Sequence, residues 1–250
     1  MTRPAILVTG GARRLGAAIA RAFGQAGWHV VIHYRHSRED AEALAASLPS
    51  AETVSWPLDD VAGAAEQVAK LAARLNDWRV LVNCAAVFRL DTAKELDGPT
   101  FDEAMQVNAA VPVRMAQAFL AHARSPAGRR VIDITDQKLA NPNPDFFSYT
   151  MSKHALAATV PMLAMTCADP RDRVYAMAPG AILASHDQTE DETDRSHRMN
   201  LLGRKTGAAE IAEAALFLAG GWLASGETLF VDSGQHLLSQ PRDVLFLARG

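Results

Sequence analysis

Tyr149 and Lys153 lie four residues apart in a segment with helical periodicity, which sets both on one face of a helix. A phenol is a poor acid near neutrality, with an ordinary pKa of ~10. A neighbouring ammonium favours the phenolate and lowers that value. Such a pair can relay a proton to a substrate while a nicotinamide transfers hydride. Taken alone, the spacing is common and usually a matter of packing, so its meaning depends on what surrounds it.

A second candidate is the turn Thr9-Gly10-Gly11-Ala12-Arg13-Arg14-Leu15-Gly16. Glycine lets the backbone turn sharply and come close to a pyrophosphate. The N–H groups that open the next helix then favour an anion. The turn follows a strand-like segment and precedes the apolar stripe Leu15, Ala18, Ile19, Ala22 and Phe23, the context a dinucleotide site requires. The next strand-like segment continues into Tyr34-Arg35-His36-Ser37. An NAD site usually ends that strand with an acid for the ribose 2′-OH. Here Arg35, His36 and Ser37 offer a cation and donors, with Arg13 expected nearby, which predicts NADPH.

The elements that must carry these residues alternate. Strand-length apolar runs occur at Ala5–Thr9, His29–His33, Val80–Asn83, Arg130–Thr135, Arg173–Ala176 and Thr228–Val231, with a weaker alternating one at Thr53–Leu58. Besides the stripe after the glycine turn, helices are predicted near Glu39–Ser47, Ala62–Leu75, Phe101–His122, Phe147–Thr166 and Ala208–Leu218. Continuous apolar strands separated by helices imply an α/β fold: one doubly wound parallel sheet covered on both faces, a Rossmann fold. The 250 residues fit one such domain, spanning 1–250. A formal net charge of −3 gives no electrostatic case for nucleic acid, and no apolar run is long enough for a membrane helix. Cys84 and Cys167 lie apart in apolar stretches without a metal-ligand pattern, so no metal is expected. They read as core thiols in a reducing, cytoplasmic compartment, and the strand-like N-terminus leaves no room for a signal peptide.

The glycine turn resembles the Thr-Gly-x-x-x-Gly-x-Gly signature of the short-chain dehydrogenases/reductases, and the resemblance extends over nearly the whole chain. The middle glycine is Arg14 here, as in the pteridine reductase branch of that family. This implies a fixed cation beside the cofactor phosphates and the substrate. By the same resemblance Tyr149 and Lys153 are the catalytic pair, and Asn108 supports the lysine relay. Asp59 meets the adenine, with Asp60 an alternative, and either could cap the following helix. Asn83-Cys84-Ala85-Ala86 resembles the family's Asn-Asn-Ala-Gly motif near the ribose, and departs from it at Cys84 and Ala86. Pro179, Gly180 and Ile182 belong at the nicotinamide end. Val231-Asp232-Ser233-Gly234 carries serine where the family usually has glycine.

The informative departure is Asp136, thirteen residues before Tyr149, where carbonyl-reducing members carry serine. A carboxylate repels a developing alkoxide, but a carboxyl at a ring nitrogen can donate a proton or bind the protonated ring. Thr135 is the fallback hydroxyl and should point to the opposite face of its strand. Pteridine reductases share the aspartate, and an aromatic residue that stacks on the pterin falls at Phe88. The implied activity is NADPH-dependent reduction of a pterin or dihydrofolate-like ring, with Arg14, Phe88, Asp136 and Tyr149 on the substrate. The competing readings are a carbonyl reductase of the 3-oxoacyl or sugar-alcohol type and a non-catalytic NADP(H)-binding redox sensor. Residues 184–200 read as an irregular, acidic substrate lid. Residues 235–250 carry the apolar run Val244-Leu245-Phe246-Leu247 and read as a tail packed either on a neighbour in a homo-oligomer, a dimer or tetramer, or on its own subunit.

Overall fold

Strands whose side chains are apolar in both directions can be buried only between two layers of helices. The structure, a computed structural model, describes residues 3–184 and 188–249. Among these, seven parallel strands form one sheet in the order β3-β2-β1-β4-β5-β6-β7. The strands are β1 (Ala5–Val8), β2 (His29–Tyr34), β3 (Ala51–Ser55), β4 (Trp78–Asn83), β5 (Arg130–Ile134), β6 (Arg173–Pro179) and β7 (Thr228–Val231). On one face Ile6, Val8, Val30, Ile32 and Val80 pack against Ile19 and Phe23 of α1 (Arg14–Gln25) and Ile211 and Leu218 of α8 (Ala208–Ala219). On the other, Leu7, Val31, Leu81 and Val131 meet α3 (Val61–Arg74), α5 (Val111–His122) and α6 (Phe147–Met165). The strand order reverses between β1 and β4, so the crevice for a ligand opens at their C-terminal ends.

Two predicted elements differ. The helix expected over 101–122 is broken into α4 (Gly98–Met105), a π-helical stretch Gln106–Ala110, and α5. Pro112 has no N–H to give the carbonyl of Asn108, so the regular α-helical bond fails there and the turn widens. The segment 184–200 is not wholly irregular, because it contains α7 (Glu190–His197). Thr189 and Glu192 form a capping box, and the acidic cluster Glu190, Asp191 and Glu192 occupies the first turn, where the helix dipole favours negative charge. Residues 185–187 of the expected lid lie outside the described residues.

The tail has partners within its own chain. Asp243 caps the short α9 (Val244–Leu247), Arg242 bonds Asp145 at 2.7 Å, and Arg195 of α7 bonds the carbonyl of Ala248 at 2.8 Å. Leu245 and Phe246 pack on Phe146 and Tyr149. A neighbouring subunit is therefore not needed to cover Val244 and Leu245, which are buried in the single chain.

Candidate active site

The glycine turn is held from two sides. Thr9 Oγ1 accepts from the N–H groups of Cys84 (2.9 Å) and Ala85 (3.1 Å), tying the end of β4 to the end of β1. Gly10 has φ +61°, and a Cβ at Gly16 would lie 2.3 Å from the Gly10 carbonyl, so the turn admits no side chain at either place. Beneath it sits His33, which the sequence reading passed over as a strand residue. Its carbonyl accepts from Gly11 N–H (2.9 Å), its Nδ1 faces Gly10 N–H (3.4 Å), and its Nε2 faces the Trp56 carbonyl (3.0 Å). These partners require the neutral ring with its proton on Nε2. Burial pushes its pKa down to about 4, although the bond to Trp56 opposes this.

α1 starts without a side-chain cap and without an acid in its first turn, whereas Asp60, Asp97 and Thr189 cap α3, α4 and α7. Its opening N–H groups are thus left for an anion, and this turn fits the pyrophosphate of a dinucleotide. Arg14 takes the place of a glycine at a cost. Its φ is +52°, a left-handed conformation that costs an L-residue roughly 1–2 kcal/mol. Its guanidinium donates to the Ala184 carbonyl at 2.9 Å, bridging the turn to the segment after β6.

At the end of β2, Arg35 and His36 are exposed and Tyr34 is buried beneath Arg38. Ser37 opens α2 (Arg38–Ala46) without a side-chain cap bond. The expected cations are present but already paired: Arg35 with Asp59 at 3.0 Å, Arg13 with Asp40 at 2.6 Å. Exposed pairs of this kind are worth little, so a doubly charged phosphate can recruit both arginines. Of the two acids, Asp60 caps α3, leaving Asp59 free of that duty.

The reaction centre assembles at the end of β5. Asp136 Oδ2 accepts from the Tyr149 hydroxyl at 2.9 Å, and Oδ1 accepts from Lys138 N–H at 2.9 Å. Burial raises the Asp136 pKa, opposed by the Lys138 charge and by the two hydrogen bonds. Burial also raises the Tyr149 pKa well above the ordinary phenol value, reinforced by the Asp136 carboxylate. Lys153 was expected to lower it, but burial and the Asp136 carboxylate set its direction. Lys153 Nζ lies 5.6 Å from the Tyr149 ring centre and donates to the Ile134 carbonyl at 2.7 Å. Burial lowers the lysine's own pKa, with Asp136, Cys84 and Asp133 opposing that loss. Burial thus keeps the Tyr149 proton on its phenol and opposes ionisation of the Asp136 carboxyl, whose two oxygens accept from the Tyr149 hydroxyl and the Lys138 N–H. Thr135 gives its hydroxyl to the Met177 carbonyl at 3.1 Å, so it faces away from this pair as expected.

Phe88 is 41% exposed and stands over the pair, edge-on to Tyr149 (ring centres 4.7 Å) and stacked on Phe146 (4.0 Å). Phe146 itself has φ +53°, a strained conformation for a bulky residue. Asn108 lies in the π-helical stretch, bonded to both backbone groups of Val87 (2.8 and 2.9 Å) and to Ser152 Oγ (3.0 Å). It fixes the strand-to-loop exit that carries Phe88 and meets the helix that carries Tyr149. Asn83 does not face the crevice. Its amide donates to buried Asp133 at 2.7 Å and to the Pro112 carbonyl at 3.3 Å. Burial raises the Asp133 pKa to about 6, and its Oδ2 has no partner among the described residues. Ala85 touches the glycine turn, since a Cβ at Gly10 would lie 3.1 Å from its Cα. Pro179 ends β6, Gly180 N–H approaches the Val231 carbonyl (3.4 Å), and Ile182 packs on the core.

Sequence reasoning missed His33, Asp133, Lys138, Phe146 and Asp243. Asp133 carried a signal, since a charge inside Val131-Ile132-Asp133-Ile134 cannot be buried without a partner. The others become legible only once the tail and the turn are placed in space.

A family model described as Enoyl-(Acyl carrier protein) reductase matches residues 10–236. Among solved structures, the alternative dihydrofolate reductase 1 (FolM) of Brucella suis in complex with NADP is 32% identical, with TM-score 0.88 over 95% of this chain and 96% of that one. Pteridine reductase 1 of Leishmania tarentolae is 28% identical, covering 94% of this chain and 97% of its own length. Versicolorin reductase 1 of Aspergillus parasiticus is 31% identical over 180 residues, 70% of this chain and 68% of its own.

Proposed function

Because this chain belongs to the short-chain dehydrogenase/reductase family, we propose that it is an oxidoreductase that uses NADPH to reduce a pterin ring, from the dihydro to the tetrahydro form. The observation that carries this reading is the buried Asp136–Tyr149 pair beneath an exposed Phe88. A serine hydroxyl would suit a ketone oxygen, and a carboxyl suits a basic ring nitrogen. The NADP-bound FolM structure and the pteridine reductase relative support the same direction.

In this reading Gly10, Leu15, Gly16 and the start of α1 hold the pyrophosphate, with Arg14 beside it. Arg13, Arg35, His36 and Ser37, flanked by Tyr34, receive the 2′-phosphate. Asp59 meets the adenine, and Asn83 positions Ala85 near the ribose. Pro179, Gly180 and Ile182 border the nicotinamide. When bound, NADPH supplies the hydride. Phe88 offers a face on which a flat heterocycle can stack. Asp136 offers its carboxyl to a ring nitrogen, with the Tyr149 hydroxyl bonded to that carboxyl at 2.9 Å. Lys153 holds the ribose hydroxyls. Asn108 fixes the loop that presents Phe88.

No helix among the described residues is long and apolar enough to cross a membrane. Exposed Met162, Met165, Phe217 and Trp222 support a homo-oligomer, and the two free thiols suit the cytoplasm. Oxidation of NADPH, followed by loss of its absorbance against dihydropterins, dihydrofolate and simple ketones, tests the reading. Turnover confined to the pterin-bearing substrates is expected. A preference for ketones, or for NADH, would refute it.

A further inference from the structure

Lys138 is a buried cation, 4% exposed, whose own N–H bonds Asp136. Its ammonium lies 2.6 Å from Asp243, donates to the Asp145 carbonyl at 3.3 Å and sits 5.1 Å from the centre of the Phe146 ring. Asp243 comes from the C-terminal segment and is anchored there. It caps α9 through Leu245 N–H (3.0 Å), and its own N–H bonds Asp145 at 2.8 Å. Asp145 is in turn occupied by Arg242. The carboxyl of Asp136 is thus bonded by the backbone of a lysine whose side-chain charge is paired with one residue of the tail.

We propose that Asp243 is a positioning residue of the reaction centre in its own subunit: through its ion pair with Lys138 it controls the charge presented to the Asp136–Tyr149 pair. A buried cation without its partner is costly and seeks another anion. With Asp243 removed, the Lys138 charge acts unopposed on Asp136, whose carboxyl accepts from the Lys138 N–H, and draws it toward its ionised form. The Asp136 pKa responds to Lys138 and to Asp243 in opposite directions, Lys138 lowering it and Asp243 raising it. The other charged groups around the centre stay constant in this comparison. From α6 these are Tyr149 and Lys153, from β5 Asp133, and from the end of β4 the Cys84 thiol, pushed up to about 11 by burial. Asp145 and Arg242 hold each other, and His236, on the 3₁₀ turn packed against that of Lys138, is held by Asp232 at 2.8 Å.

The kinetic consequence rests on the pterin reading, but the charge relation does not. The test is therefore the carboxyl ¹³C titration of Asp136 in full-length protein, assigned with D136N, beside the pH profile of NADPH-dependent turnover. D243N should lower the Asp136 midpoint by about one pH unit, a tenfold change in proton affinity. K138Q should raise it, the double variant should return close to the starting value, and D243E should restore it. An anchor that merely holds the tail would shift both single variants the same way, or lower the melting temperature while leaving the midpoint fixed. Either result overturns the proposal. If K138Q does not fold, D243N against D243E carries the same decision. A shifted midpoint in a protein that turns over no pterin would uphold the role of Asp243 and refute the substrate.

Discussion

Replacing His33 by Asn removes a titrating group from beneath the glycine turn while keeping a short polar side chain. The folded ring has its pKa held down to about 4, against an ordinary value of 6.5. In the unfolded chain the ring takes up a proton below pH 6.5, whereas in the folded chain it does not until pH 4. The unfolded state then binds more protons, so stability falls as pH falls. The stabilisation is fully present above pH 6.5. About 2 kcal/mol of it is lost by pH 5, and about 3 kcal/mol by pH 4. Protonation also turns Nδ1 from acceptor to donor, which opposes the Gly10 N–H that faces it. Urea unfolding at pH 8, 6, 5 and 4 provides the assay. The original protein should lose stability faster than H33N on the acid side, with the gap between them closing by that amount. NADPH affinity should weaken only near pH 4, where the folded ring takes up its proton, and more in the original protein than in H33N. Parallel stability curves for the two proteins would refute a neutral, buried His33.

Asp133→Asn should stabilise the fold above pH 6. Its folded pKa is raised to about 6 from 3.8, so ionising it in place costs about 3 kcal/mol that is absent below pH 3.8 and grows in as pH rises. Denaturation at pH 8 should show a gain of about 1–3 kcal/mol that vanishes by pH 4, and a loss at pH 8 would contradict the absence of a partner for Oδ2. Arg14→Gly should raise stability by about 1 kcal/mol through relief of the left-handed backbone, yet weaken pterin turnover; melting curves beside steady-state rates separate the two. Phe88→Ala should raise KM for a dihydropterin by roughly tenfold, since aromatic stacking contributes about 0.5–1.5 kcal/mol beyond area burial, and an unchanged KM would remove the stacking face.

The sheet was legible because its strands announce themselves: Ile6-Leu7-Val8 and Val30-Val31-Ile32 are apolar in both directions, and that admits only a two-sided parallel sheet. The glycine turn and the Tyr149–Lys153 spacing are local patterns, so they survive in the sequence. Asp136, just past the end of β5, could be marked because the family resemblance puts a serine thirteen residues before the tyrosine. What was not legible depends on chain segments meeting far apart in sequence. Lys138 and Asp243 are separated by more than a hundred residues, and neither carries a mark of its partner. The electrostatic order of the site was misjudged for the same reason. Spacing places Lys153 near Tyr149, but only the fold shows that burial and Asp136 outweigh it. The helix break at Asn108 had a readable cause in Pro112, which falls in the middle of the helix expected over 101–122.

The most direct measurement compares the original enzyme with Asp136→Ser on a dihydropterin and on a simple ketone, as kcat/KM with NADPH. A carboxyl that handles a ring-nitrogen proton predicts a loss of at least about a hundredfold on the pterin and a gain on the ketone. Undiminished pterin turnover by the serine variant would contradict it.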